Sequence, residues 1–230
     1  MNPVVVIASH LRSSITRQNI QSLLRQSVVP EIVLVVSVPD EYERWKKEFP
    51  IIHVLKERNW PLGKKWQAGV DHARKLNADP MIITGSDDIL GVDFVKNACS
   101  LSRQHDFIGL QDWSVLHESF LYSITYNAKI PLGAGRVYSN GLLEAMNWIV
   151  FNTRINRHLD DQGYHNTRRL CRPMLIVRDA AAQGLHVVSV KGPWVMMNRF
   201  VSMLQHPNCT VRSKVEAIEV QNLIGFKPIV

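Results

Sequence analysis

Two adjacent carboxylates, Asp87 and Asp88, interrupt the apolar stretch Met81 to Leu90, MIITGSDDIL. Four residues suited to a buried strand are followed by a small Thr84-Gly85-Ser86 turn. Both acids are therefore expected at the carboxyl edge of a sheet, where open α/β folds bind ligands. Adjacent acids at a strand end can hold a hard divalent cation, which takes one or two carboxylates plus the oxygens of a substrate phosphate. The same residues could instead cap the segment that follows, since a carboxylate suits a helix N-terminus.

The stretch ahead of the acids adds a second candidate. Lys56 to Gly63 reads as a loop, and it opens a helix from about Lys64 to Leu76 whose Trp66, Val70, Ala73 and Leu76 share one face. Lys64 and Lys65 stand at the start of that helix. Cations there oppose the helix macrodipole by about 0.3 to 1 kcal/mol each, unless an anion such as a diphosphate joins them. Two solvated lysines on the outer face are the plainer alternative.

With these residues in place, the chain resembles the donor half of type A (GT-A) nucleotide-sugar glycosyltransferases, in particular their family 2. The features that carry the likeness are a first strand ending in Ser9 and His10, the Asn59 to Gly69 loop and helix start with its Gln67-Ala68-Gly69 step, and the strand ending in Ser86-Asp87-Asp88. It covers residues 3 to 95 well and the remainder loosely. Ser86 stands where the D-x-D-type acidic motif has its first Asp. The resemblance implies that Asp88 ligates Mn²⁺ or Mg²⁺ and that Asp87 contacts the ribose or sugar of the donor. It places Ser9, His10 and Arg12 beside the base and diphosphate, Asp40 near the base, and Lys65 on the diphosphate. It also assigns the base that deprotonates an acceptor hydroxyl to the later acidic pair, Asp160-Asp161, with Asp161 preferred; an N-cap role for these acids is the alternative. The span from Asp161 to Gly184 is longer than the family pattern. Asp112 is a second candidate base, and Gly133, Gly135 and Arg136 form a loop able to close over the donor or contact the acceptor. A late metal-binding His of the family falls near Asn198, with His206 further on. Trp113, Trp148 and Trp194 are candidates for an acceptor groove, although core positions are their commoner use.

The elements that must position these groups read as follows. Strands are expected at Val4 to Ala8, Ile32 to Val38, Ile51 to Leu55, Phe107 to Leu110, Phe120 to Thr125 and, last, His186 to Val190. Helices are expected after a Ser13-Ser14 cap, over Tyr42 to Phe49, Phe94 to Leu101 and Leu142 to Phe151, and from Pro173 to Gln183, with a loop over Ile130 to Tyr138. Apolar strands alternating with helices indicate an α/β, Rossmann-like GT-A fold, a mostly parallel central sheet with helices on both faces. One domain is expected over 1–230: a nucleotide-sugar donor half at 1–95, an acceptor and catalytic half at 96–200, and a C-terminal tail at 201–230.

Composition sets wider bounds. The chain has 230 residues, 46% hydrophobic and 20% charged, an ordinary globular mixture. No apolar stretch approaches the roughly 18 residues a membrane span needs, and the opening strand lacks a basic flank, so a cytoplasmic location is expected, or host cytoplasm for a viral protein. Cys99, Cys171 and Cys209 are odd in number and scattered, as reduced thiols are. A formal charge of +7 favours an anionic partner: a phosphorylated small molecule, an anionic membrane surface touched peripherally, or nucleic acid. No nucleic-acid motif is visible, so no specific nucleic acid is expected. The function that fits is a metal-dependent inverting transfer of a sugar from a nucleoside diphosphate, UDP for preference, to a hydroxyl of a glycan or glycoconjugate. The alternatives are a nucleotidyltransferase of related fold, whose first loop would normally carry glycine, and a non-catalytic basic binding domain.

Overall fold

Along the first strand, β1 (Val4–Ala8), Val5 and Ile7 enter one hydrophobic cluster while Val4 and Val6 enter another, and all four are fully buried. A strand apolar on both faces is stable only inside a sheet covered on both sides. The structure, a computed structural model, describes residues 1–192 and 200–216. In it β1 pairs in parallel with β2 (Glu31–Val36) and β4 (Met81–Gly85), and β3 (His53–Lys56) extends the sheet beyond β2. Helices α1 (Ser13–Leu24), α2 (Pro39–Glu48) and α4 (Phe94–Leu101) cover one face through Ile20, Leu23, Trp45 and Phe94. The other face is covered by α3 (Leu62–Lys75), α5 (Asn140–Ala145) and α6 (Leu159–Leu170) through Val70, Leu142 and Tyr164. Gly69 lets α3 lie close, since a Cβ there would meet Val6 Cγ1 at 2.4 Å.

The central sheet has the order β10-β6-β9-β4-β1-β2-β3, with β6 at Phe107–Leu110, β9 at Arg136–Tyr138 and β10 at Met174–Val177. β9 alone runs antiparallel to its neighbours, so the mostly parallel α/β sheet expected from the sequence is present. Strand succession reverses between β1 and β4, the topological switch point at which open α/β sheets bind ligands. A second sheet, β12-β8-β7-β11-β5, is built from Cys209–Glu216, Phe120–Tyr126, Asp112–His117, Val187–Lys191 and Asp88–Leu90. The chain passes from the first sheet to the second through Ser86 and Asp87.

Several elements differ from the sequence reading. Residues 173–183 form no helix: Leu175 packs on one cluster while Met174 and Ile176 pack on the other, a two-residue period that makes β10 an edge strand beside β6. The helix expected to reach Phe151 stops at Ala145, because Asn147 and Trp148 adopt φ of 50° and 60°. The loop expected over 130–138 contains β9, whose Val137 pairs with both Ile82 and Ile108. The strand expected last, here β11, is followed by the β12 edge strand. Arg12, not a serine, occupies the N-cap of α1 and makes no side-chain cap. Among the described residues no helix is long and apolar enough to cross a membrane.

Candidate functional site

The expected Thr84-Gly85-Ser86 turn lies one step later: β4 continues through Gly85, Ser86 and Asp87 turn, and Asp88 already belongs to β5. This separates the two acids. Asp88 points inward, its Oδ2 accepting from the Gly85 amide at 3.0 Å and its Oδ1 from the Ser189 hydroxyl. A Cβ on Gly85 would stand 2.5 Å from Asp88 Oδ2, so glycine is what lets the carboxylate close onto the backbone. Asn19 of α1 fixes the turn, donating to the carbonyls of Gly85, at 2.8 Å, and Asp88. Burial, and then the neighbouring Asp87, push the Asp88 carboxyl above its ordinary pKa.

Asp87 faces two cations. Its Oδ2 accepts from Lys191 Nζ at 2.8 Å and its Oδ1 from Arg12 Nη1 at 3.3 Å. Burial pushes its pKa up, but Lys191 and Arg12 outweigh that and hold it below the usual carboxylate range. Lys191 comes from the end of β11, whose antiparallel pairing with β5 sets Ser189 opposite Asp88.

The loop after β1 forms the next wall. The Ser9 hydroxyl is buried and shares a 2.7 Å hydrogen bond with Thr16 Oγ1. Leu11 has φ 54° and a 63% exposed side chain, a strained conformation for a bulky residue of the kind that gathers at ligand loops. Its amide donates to Glu41 Oε2 at 3.3 Å, and the Ser13 hydroxyl donates to Glu41 Oε1 at 3.4 Å. Glu41 is 3% exposed, whereas Asp40, the residue expected near the base, is exposed one position earlier on α2. One helical residue is a rotation of about 100°, enough to turn one acid inward and leave the other in solvent. His10 has its pKa lowered by burial and then by Lys65, and its Nδ1 makes no hydrogen bond.

Lys65 does not project into this cleft. It is 1% exposed, and its ammonium donates to the Ser9 carbonyl, to Ser37 Oγ at 2.7 Å and to Asn59 Oδ1 at 3.2 Å, which uses all three protons. The α3 N-terminus is also occupied: Leu62 N donates to Asn156 Oδ1 at 2.7 Å and Gly63 N to Ile155 O at 3.0 Å. Lys64 pairs with Glu57 at 3.3 Å. The unfavourable dipole contact that suggested a bound diphosphate is thus answered within the protein, and Lys65 ties the ends of β1 and β2 to the Asn59 loop.

A divalent cation at the Asp87-Asp88 turn would have to share carboxylate oxygens that already have partners. Both oxygens of Asp88, the expected ligand of Mn²⁺ or Mg²⁺, accept hydrogen bonds, and both oxygens of Asp87 face a cation. No three His, Cys, Asp or Glu side chains converge among the described residues. His206 lies beside the Tyr126 ring with its Nδ1 accepting from the Asn208 amide at 3.2 Å, while Asn198 and Trp194 lie outside the described residues.

Asp160 and Asp161 occupy the first turn of α6, where their charge suits the helix dipole. The Asp160 carbonyl accepts from Arg136 Nη1 at 2.7 Å, and its carboxylate closes on Gly133, where a Cβ would come within 2.5 Å of Oδ2. Asp161 is half-exposed and lies 3.3 Å from His158 Nδ1. The remaining candidates are structural. Asp112 is buried and accepts from Ala180 N and Arg212 Nη2, at 2.9 and 2.8 Å. Trp113 and Trp148 are core residues. Arg136 is 1% exposed and also donates to the carbonyls of Pro131 and Leu132, so it props up the Gly133 loop and does not reach outward. On the same carboxyl edge, a hollow of about 620 Å³ opens beyond β6 and β10, lined by Gln111, Asn127, Lys129, Tyr164, Arg168 and Arg178. Asp161 shares a helix face with Tyr164 and Arg168 through steps of three and four residues. Burial, followed by the charge of Asp161, raises the pKa of Tyr126, which stands between the Thr125 and Asn127 that line the hollow.

No protein-family model and no curated protein matches the sequence. Solved structures do match it. TarS 1-349 from S. aureus superposes with a TM-score of 0.64 at 14% identity, over 83% of this chain and 60% of that one. The chain has a GT-A-like fold. A longer S. aureus TarS structure gives 0.62 at 14% identity, over 84% of this chain and 37% of that one. TarS 1-349 in complex with UDP gives 0.60 at 14% identity, over 84% and 61%. The chain therefore spans less than two thirds of the length of each TarS structure. The GT-A-like architecture is what the likeness establishes, and it sets Asp87 at the switch point of that fold.

Proposed function

We propose that the chain is an inverting glycosyltransferase that moves a sugar from a UDP-linked donor to a hydroxyl of a glycan or glycoconjugate. The observation that carries this reading is Asp87, flanked by Arg12 and Lys191, at the switch point between β1 and β4 of a GT-A-like fold. The structural likeness to a UDP complex supports the choice of nucleotide. In this reading the nucleoside lies along the strained Leu11 loop and Glu41, and the diphosphate meets Arg12 and Lys191.

Asp161 takes the proton of the acceptor hydroxyl. The oxygen then attacks the anomeric carbon on the face opposite the diphosphate. The new C–O bond forms as the bond to the phosphate oxygen breaks, and that electron pair leaves with UDP. Charge gathers on the diphosphate in the transition state, so cations fixed beside it lower the barrier most. The hollow next to α6 holds the acceptor; it lies about 14 Å along the edge from the switch point, about three strand spacings.

The test is UDP release from a panel of UDP-sugars, alone and with oligosaccharide acceptors. Release that one acceptor accelerates supports the reading. Intact donors throughout the panel, at enzyme concentrations that would reveal slow hydrolysis, would contradict it.

A further inference from the structure

We infer that Lys191 and Arg12 neutralise the donor diphosphate in place of a divalent cation, so that nucleotide binding needs no metal. This rests on the glycosyltransferase reading and goes beyond it, because the resemblance seen in the sequence implies Mn²⁺ or Mg²⁺ on Asp88.

Three observations carry the inference. The first is the state of the carboxylates. Asp88 is turned inward and hydrogen-bonded on both oxygens, by Gly85 N at 3.0 Å and by Ser189. It acts as a clamp between β5 and β11. Asp87 bridges an ammonium at 2.8 Å and a guanidinium at 3.3 Å. A divalent ion on Asp87 would have to displace Lys191 or sit against it, and like charges repel strongly at a site so removed from water.

The second is the placing of the two cations. Lys191 ends β11 and Arg12 precedes α1, so they reach the switch point from different elements and meet on opposite oxygens of one carboxylate. Lys191 is buried, with 9% of its side chain exposed, and Arg12 is half-buried, with 20% exposed. Among the described residues Asp87 is the one acceptor of either cation. The remaining N–H groups of both are left for phosphate oxygens, which a guanidinium can bind in a fork and an ammonium as a point charge.

The third is the arrangement of charge. Lys191 and Arg12 face Asp87, while Asp88 is turned onto Gly85 and Ser189 and Glu41 onto Leu11 and Ser13, so a diphosphate beside Asp87 would meet these two cations. A nearby third cation, Lys65, is held back by Ser9, Ser37 and Asn59, so it supplies positive potential without contact.

Calorimetric titration of UDP into the full chain tests this, in excess EDTA and again with Mn²⁺, for the wild type, Lys191→Met, Lys191→Arg and Arg12→Met. Equal affinity in EDTA and Mn²⁺ is expected for the wild type. Lys191→Met and Arg12→Met should each bind about 10- to 100-fold more weakly, as the loss of a hydrogen bond between charged groups does, while Lys191→Arg retains most of the affinity. Thermal melts report whether each variant is folded. If Lys191→Met does not fold, the wild-type comparison and Lys191→Arg still decide. UDP binding to the wild type that appears only with Mn²⁺ would overturn the inference and leave the glycosyltransferase reading standing. No UDP binding under either condition would overturn both. A folded Lys191→Met that binds UDP like the wild type in EDTA would remove Lys191 from the site.

Discussion

Asp160 and Asp161 are neighbours held in different ways, and the difference predicts which is the base. Asp160 is exposed, with its carbonyl bound by Arg136 and its carboxylate against Gly133, whereas Asp161 is half-exposed beside His158 on the helix face that leads to the hollow. Asp161→Asn should lower the rate of transfer by about 10²- to 10⁴-fold, the usual worth of a general base, and leave UDP affinity unchanged. Asp160→Asn should do less; a larger loss from Asp160→Asn in single-turnover kinetics would reverse the assignment. Lys65 makes a prediction about stability. Burial is the largest influence on it, Glu41 opposes and Arg12 adds, and its pKa falls from 10.5 to about 8. Between those values the unfolded chain keeps the proton that the folded chain releases, so folding stability rises with pH across this window. Chemical denaturation of wild type and Lys65→Met from pH 7 to 10.5 should show the wild type gaining on the variant, and a constant difference would contradict the shift. At this scale the sequence reveals residues whose neighbours in the chain are their neighbours in space. Asp87 and Asp88 declare themselves by ending an apolar run. Lys191 lies 104 residues from Asp87, and Glu41 differs from Asp40 only by a rotation about the α2 axis, so neither could be singled out before the fold was known.

Among the elements, α1 does more than cover the sheet. Its Asn19 is fully buried and joins the carbonyls on either side of the acidic turn, and Gln26, just past its end, holds the Gly91 carbonyl at 2.7 Å. Asn19→Ala should lower unfolding free energy by about 1 to 3 kcal/mol, as expected when buried acceptors lose their donor, and should weaken UDP binding through the turn it no longer fixes. A denaturant midpoint and a UDP affinity both equal to wild type would show that the turn stands without it. The first hundred residues were readable at this level because each strand is a short apolar run and each helix has an apolar face. Later the local signals mislead. Pro173 before Met-Leu-Ile-Val resembles a helix start, yet those four residues complete the sheet edge beside β6, a preference that only the neighbouring strand reveals. The Asn59 to Gly69 segment is recognisable as a unit of the expected site by its residue types, but Lys65 holds the ends of β1 and β2, Lys64 pairs with Glu57, and the helix N-terminus and Gln67 serve the packing of residues 148–156 against α3.

The whole molecule joins two sheets at the acidic turn, and the joint brings β11 and its Lys191 to the switch point. The mostly parallel first sheet was legible from alternating strands and helices; the second was not, because β7 and β12 pair with partners distant in sequence or across short, polar connections. The formal charge of +7 finds one local expression in the hollow, where Lys129, Arg168 and Arg178 line the wall with no carboxylate among the lining residues. An acceptor carrying negative charge suits that wall. The double variant Arg168→Ala, Arg178→Ala should raise the acceptor KM and leave UDP affinity alone; an unchanged KM would move the acceptor elsewhere. The central claim is that a nucleoside diphosphate binds at the carboxyl ends of β1 and β4, and a crystal structure of the chain with UDP tests it most directly. Diphosphate density is expected to touch Arg12 and Lys191 beside Asp87, with the uridine along the Leu11 loop; UDP lodged in the hollow between Gln111 and Arg178, with the Asp87 cluster untouched, would contradict it.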